Sequence, residues 1–240
     1  MKTESLFRSV FAGAIALGLA GGVAFAQDTK PATPPAEKDD HKDHDHKDGD
    51  HKDHSHDKKD TKKAETAKIG ESAPEFVLQD TAGKSVSLAS FKGKVVVLEW
   101  FNPDCPFIVK HHKTATTFND LNTTYGPKGV VFLAINSSAD GNQGSGNERN
   151  AKAKTDFKME YPILMDASGK VGKSYGAKTT PHCFIIAKDG KLMYSGAIDD
   201  DKSTGPSGKT NFVAKALDEI LAGKPVTTAQ TKPYGCSVKY

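Results

Sequence analysis

Apolar and polar positions follow three regimes along this chain. Residues 1–26 carry 16 apolar side chains, with an apolar run from residue 10 to residue 20. Residues 27–67 carry four, all alanine. Residues 68–228 carry 62, set in short blocks between turn residues. Only this third regime can bury a core, and its length suits one domain. Its blocks predict an order of elements. Residues 76–78 and 85–88 flank Ala82-Gly83-Lys84 and read as a hairpin. Residues 95–101 are apolar except for Glu99 and read as a strand buried on both faces. A helix is expected from Cys105 to Tyr125, with Pro106 at its first position and Gly126-Pro127 as its stop. Ile108, Ala115, Phe118, Leu121 and Tyr125 form its apolar stripe, and His111 falls on that stripe as a core histidine.

Residues 130–135 predict a second buried strand, and residues 136–147 a Gly/Ser/Asn loop. A helix is expected over 148–157, with strands over 161–165 and 184–187. Asp189-Gly190 is a hairpin signal before a strand at 192–195. A last helix is expected over 211–221, with Phe212, Ala216, Ile220 and Leu221 on its apolar side and Gly223 and Pro225 after it. Strands alternating with helices predict an α/β sandwich, a central mixed sheet with flanking helices.

The first regime has Lys2 and Arg8 before its apolar run and Ala24-Phe25-Ala26 after it. This is the form of a secretory signal peptide, and it is short and glycine-rich for a membrane span. The mature chain then starts near Gln27 in an oxidising space, in the manner of a bacterial periplasm, with no stable membrane span left. In residues 27–67 no apolar side chain can offset backbone ordering, so the segment is expected to be disordered. His41, His44, His46, His51, His54 and His56 alternate there with Asp and Lys. Such a tract chelates Zn, Ni or Cu from a flexible chain, or serves as a solvated spacer. A net charge of +3 is too weak to argue for nucleic-acid binding, and no nucleic-acid partner is expected.

The chemistry points to residues 99–106. A lone carboxylate in a buried strand needs a polar partner or a proton of its own. Six residues after Glu99 comes Cys105, at a strand-to-helix turn, where exposed N–H groups stabilise a thiolate. A buried acid behind such a thiol can accept its proton. His112 is seven residues beyond Cys105, about 10 Å along a helix, too far for a direct thiolate bond.

At these residues the chain resembles the thioredoxin-like superfamily in its redoxin branch, of the alkyl hydroperoxide reductase and thiol-specific antioxidant type. The resemblance is carried by Gly70-Glu71-Ser72-Ala73-Pro74-Glu75-Phe76-Val77-Leu78 and by Gly93-Lys94-Val95-Val96-Val97-Leu98. It is carried also by Trp100-Phe101-Asn102-Pro103-Asp104-Cys105-Pro106-Phe107-Ile108 and by Thr180-Pro181. It implies a three-layer sandwich over residues 68–228. It also implies a nucleophilic Cys105, the buried acid at Glu99 and a cis-proline at Pro181 facing the cysteine. Trp100, Pro106, Phe107, Thr180 and His182 would then border a substrate cleft, His182 polarising a substrate or raising the local positive potential. No cofactor is required, because electrons pass between sulfurs. The partners implied are a protein or small-molecule disulfide, or a peroxide, and a thiol reductant.

Two departures shape the chemistry. Thioredoxins place a second cysteine three residues after the first, where this chain has Ile108. The peroxiredoxin pattern has Thr or Ser three residues before its cysteine, where this chain has Asn102. A resolving thiol must come from elsewhere. Cys183 lies two residues after Pro181, at the start of a strand where a cysteine is commonly core. Cys236 lies in the tail 229–240, and a mobile tail would swing it onto an oxidised Cys105. The pair Cys105 and Cys236 is the preferred expectation. The competing one is a metal-binding or metal-delivery protein on a silent fold, using the histidine tract.

Overall fold

The computed structural model describes residues 66–240. The signal-like segment and the histidine tract with His41, His44, His46, His51, His54 and His56 lie outside the described residues. The hairpin forms as β1 (Val77–Asp80) and β2 (Ser85–Ser87). Then come β3 (Val95–Trp100), α1 (Pro106–Val109), α2 (Thr117–Tyr125), β4 (Val130–Asn136) and α3 (Asn147–Asp156). The chain continues through β5 (Ile163–Met165), α4 (Lys170–Tyr175), β6 (Thr179–Thr180), β7 (Cys183–Ile186) and β8 (Leu192–Gly196). It ends with α5 (Phe212–Leu221) and β9 (Cys236–Ser237). Among the described residues no helix is long and apolar enough to cross a membrane.

The sheet runs in the order β2-β1-β5-β4-β3-β7-β8. Central β3 pairs parallel with β4 and antiparallel with β7, so the sheet is mixed. Both faces of β3 are buried, as its unbroken apolar run requires. Strand alternation then divides its side chains between two cores. Val95 and Val97 face a layer that includes Phe118 of α2, Ala153 of α3 and Val213, Ala216 and Leu217 of α5. Val96, Leu98 and Trp100 face the other core, with Phe184, Tyr175 of α4 and Phe76. Glu99 and Trp100 therefore point to opposite sides of the sheet. Asn211 caps α5 by accepting from the Ala214 N–H at 2.8 Å.

The single helix expected from Cys105 to Tyr125 is corrected. After α1 the chain widens into a π-helical turn over Lys110–Thr114, which the Ala115 N–H closes onto the Lys110 carbonyl at 2.8 Å. Thr116 then adopts φ 50° before α2 begins. That conformation is uncommon for a β-branched residue. Its hydroxyl donates to Asp120 at 2.9 Å. The extra residue in the turn buries Lys110, His111 and His112 together. Short α4 was not legible as a periodic pattern, and neither were the two-residue strands β6 and β9.

Phe118 is fully buried and stacks on His112 at 5.2 Å, with its ring edgewise to His111 at 6.0 Å. Phe118→Ala is expected to cost about 3–5 kcal/mol, as large-to-small aromatic changes in cores do. Urea midpoints measure it, and a loss below about 1 kcal/mol would show that this core is loosely packed.

Candidate active site

The turn after β3 sets the reactive cysteine. Phe101 still bonds to the Ile135 carbonyl, at 2.8 Å, and the Cys105 N–H closes onto the Asn102 carbonyl at 3.1 Å. Asn102 is buried and organises the turn from within. Its amide donates to the Gln143 carbonyl at 2.9 Å and to Ser138 at 3.3 Å, and its oxygen accepts from the Asp104 N–H at 2.9 Å. Arg149 of α3 grips Asp104 with two N–H bonds, at 2.9 and 2.5 Å, and reaches the Pro103 carbonyl at 3.2 Å. The Gly-rich loop presses on this turn. Gly144 has φ 76°, and a Cβ there would sit 2.2 Å from the Asn102 side-chain oxygen.

Cys105 is the residue before α1, and Pro106 takes the first helical position as expected. Its side chain makes no capping bond. The thiol, 1% exposed, donates instead to the Thr180 carbonyl at 3.0 Å. The Thr180–Pro181 bond is cis, and both residues are buried.

The tail arrives at the same carbonyl. Cys236–Ser237 pairs antiparallel with Thr179–Thr180, placing Cys236 opposite Thr180. Gly235, at φ 126°, passes so close that a Cβ would lie 2.2 Å from the Thr180 oxygen. Cys236 thus stands beside Cys105 at Thr180, and the two thiols interact. Burial first, then that contact, pushes the Cys236 thiol up to about 11. The expectation of a mobile tail is corrected, because successive tail residues are anchored. The Ala197 N–H donates to the Thr231 hydroxyl at 2.8 Å, and the Val238 N–H donates to the Lys178 carbonyl at 3.1 Å. The Lys239 carbonyl accepts from the Ala139 N–H at 2.8 Å, and the Tyr240 hydroxyl donates to the Ala177 carbonyl at 2.9 Å. All three cysteines are free thiols. Cys183 sits fully buried in β7 opposite Glu99, and burial, followed by Glu99 and Asp199, pushes its thiol well up.

Glu99 has the polar partners that its burial demands. His112 donates from Nε2 at 2.8 Å and the Tyr161 hydroxyl at 3.1 Å. The other His112 nitrogen, Nδ1, has no partner, and the ring is stacked between Phe118 and Phe157. The ring proton therefore sits on Nε2. The cross-strand neighbour of Glu99 is Cys183 rather than Cys105.

His111 is buried, as its place on the stripe implied, but it is wired rather than inert. Nε2 meets the Tyr234 hydroxyl at 3.0 Å and Nδ1 meets Thr117 at 3.0 Å. Burial holds its pKa down to about 4, against the pull of Asp199. Tyr234 in turn donates to Asp199, a buried carboxylate. Asp199 had no role on sequence grounds. Its position after the apolar pair Ala197-Ile198, together with an aromatic residue in a polar tail, was the available signal.

Two expected cleft residues are corrected by strand alternation. Trp100 is fully buried on the far face, against Phe184 and Tyr175, and its indole donates to Ser137 at 3.1 Å. His182 lies against Phe184 at 4.3 Å, accepts the Lys178 N–H at 3.3 Å and meets Ser195 at 3.2 Å. Burial, with Lys178 nearby, holds its pKa down to about 3. Phe107 is half-buried and its ring meets Tyr234 at 5.8 Å, while Pro106 is exposed beside Cys105. Among the described residues no group of three or more His, Cys, Asp or Glu is placed to hold a metal.

Gly144→Ala meets both a left-handed backbone and the Asn102 side chain. It is expected to cost about 1–2 kcal/mol from the backbone alone and to slow Cys105 alkylation. Iodoacetamide kinetics measure the second effect, and an unchanged rate would show that Asn102 does not hold the turn. The buried histidines make a prediction in pH. His111 and His182 are proton-poor in the fold, while unfolded histidines titrate near 6.5. The unfolded chain then binds more protons, so stability rises with pH. It should fall as pH drops from about 6.5 through about 4 for His111 and about 3 for His182. His111→Gln should flatten the loss between pH 6.5 and 4 in urea titrations, and an unaltered slope would remove His111 as a cause.

Known proteins share this arrangement of chain. The family model for redoxins matches residues 68–211. A thiol-disulfide oxidoreductase ResA of Bacillus thuringiensis subsp. konkukian (strain 97-27) is 34% identical over 132 residues, 54% of this chain and 69% of that protein. A solved hypothetical protein of Sinorhizobium meliloti 1021 has a TM-score of 0.66 at 30% identity, over 73% of this chain and 96% of its own. An uncharacterized conserved protein from Geobacillus kaustophilus has a TM-score of 0.64 at 33% identity, over 72% and 92%. With the mixed sheet, the cis-proline and the cysteine after β3 in place, the chain belongs to the redoxin family.

Proposed function

We propose that this protein is an extracytoplasmic thiol-disulfide oxidoreductase whose redox pair is Cys105 and Cys236. The carrying observation is the pairing of β9 with β6, which sets Cys236 opposite Thr180, the residue whose carbonyl accepts the Cys105 thiol. The relatives named thiol-disulfide oxidoreductase ResA support the disulfide as substrate class. The signal-like first regime supports export to an oxidising space such as a periplasm.

In this reading the Cys105 thiolate attacks a substrate disulfide. A mixed disulfide forms and one substrate sulfur leaves as thiolate, to be protonated. Cys236, as thiolate, then attacks the Cys105 sulfur and releases the second substrate thiol. The substrate has gained two electrons, and the pair has become a disulfide. A thiol reductant returns it to the dithiol. Pro181 and Thr180 form the wall against Cys105. Glu99 is the buried acceptor on the core face that also holds Cys105 and Cys183. Cys183, locked in the core, takes no part in exchange. Electrons pass between sulfurs throughout, so no cofactor is required.

Cys105→Ser is expected to reduce turnover of a model disulfide to background. Cys236→Ser should leave the first attack and accumulate the mixed disulfide. Release by free thiol would be slower by about a hundredfold or more, since oriented groups act at very high effective molarity. Mass mapping of the oxidised wild-type protein should find residues 105 and 236 joined. Retained turnover in Cys105→Ser, or no such linkage, sinks the reading. Faster oxidation by hydrogen peroxide than by any disulfide would move the substrate class to peroxides.

A further inference from the structure

A resolving thiol acts well only if the fold returns it to the same place after each cycle. Cys236 itself is only partly buried, in a two-residue strand, which is a weak hold. The stronger hold is Tyr234, two residues earlier and 8% exposed in the same core as Cys105. Its ring meets Phe107 at 5.8 Å, and the Lys110 ammonium lies 5.7 Å from its centroid. Both residues stand on the segment that begins at Cys105.

The phenol group is wired on two sides. It donates to Asp199 and so accepts from the Nε2–H of His111 at 3.0 Å. Nδ1 of His111 then accepts from Thr117 at 3.0 Å, and Thr117 accepts from Ser207 at 2.8 Å. Asp199 also accepts the Gly208 N–H at 2.7 Å and the Asp201 N–H at 3.1 Å. Lys110 donates to the carbonyls of Asp201 and Ser203, at 2.8 and 3.0 Å. One hydroxyl thus joins the cysteine-bearing helix, the acidic loop and the tail. Nothing in the proposed exchange reaction uses it.

We propose that Tyr234, clamped by His111 and Asp199, is the positioning residue that holds Cys236 against Cys105 and sets the effective concentration of the second thiol. The inference rests on the reading of these two cysteines as the redox pair. A tighter clamp favours the closed disulfide over two free thiols. In the measured reaction, the two thiols give two electrons and two protons to oxidised dithiothreitol, which becomes the dithiol.

The test uses the full chain in dithiothreitol redox buffers, with the 105–236 disulfide quantified by thiol trapping and mass mapping. Tyr234→Phe keeps the ring on Phe107 and removes only the hydroxyl. Its equilibrium constant for disulfide formation is expected to fall about tenfold, a rise in reduction potential of about 30 mV. Tyr240→Phe, which removes the hydroxyl bonded to Ala177 near the other end of the tail, should shift the constant less than about twofold. His111→Gln keeps an N–H donor and should shift it less than His111→Ala. A Tyr234→Phe constant equal to that of the wild type, or equal shifts for the two His111 variants, overturns the clamp and leaves the pair standing. A wild-type protein that never forms the 105–236 disulfide overturns the pair, and the clamp with it.

Discussion

The carbonyl oxygen of Thr180 is where three distant stretches of chain meet. The Cys105 thiol donates to it from the end of the β3 turn. Gly235 passes it at a distance that excludes any side chain, and Cys236 pairs with the same residue. The cis bond to Pro181 follows directly. A buried carbonyl of this kind must find a donor, and here the donor is the candidate nucleophile. Each of the three segments is shaped to allow this. The first has a turn tied by Asn102 and Arg149, and the second a short strand before proline. The third has a glycine where the tail must come close.

The same requirement, that buried polar groups be paired, organises the region around the site. This core holds two separate polar chains among its aromatic rings. Glu99 is held by His112 and Tyr161, and Asp199 is held by Tyr234 and backbone N–H groups. The π-helical turn supplies both chains, since its adjacent buried histidines reach Tyr234 from His111 and Glu99 from His112. The widened turn and the left-handed Thr116 are the local cost of bringing both rings inside.

Alternation along β3 separates what the sequence places side by side. Glu99 and Trp100 are neighbours in the chain and face different cores. Glu99 shares its face with Cys183, and Trp100 shares its face with Phe184, next to His182. The region around Cys105 is therefore built from Thr180, Pro181, Phe107, Tyr234 and Cys236 rather than from the tryptophan and the third histidine. The redoxin match and the sheet order agree on the frame. The tail is the part that distinguishes this site from one with a second cysteine in the helix turn.

The sequence by itself determined the frame. Its apolar blocks located the hairpin, the two buried strands and the last helix to within one or two residues, because burial imposes a period that composition displays. It marked Cys105 before a helical proline and Thr180-Pro181 before a strand. It also marked Glu99 as a buried acid in need of partners, since a charge inside an apolar run is conspicuous. It did not determine which partners. His112 and Tyr161 reach Glu99 across 13 and 62 positions, and no local pattern encodes such distances. Nor did it show that the helix breaks at Thr116, because the π turn depends on what the histidines meet once they are inside. The place of Cys236 was decided by tertiary structure alone. A two-residue strand carries no period, and only the folded position of Thr180 explains why a glycine must precede that cysteine.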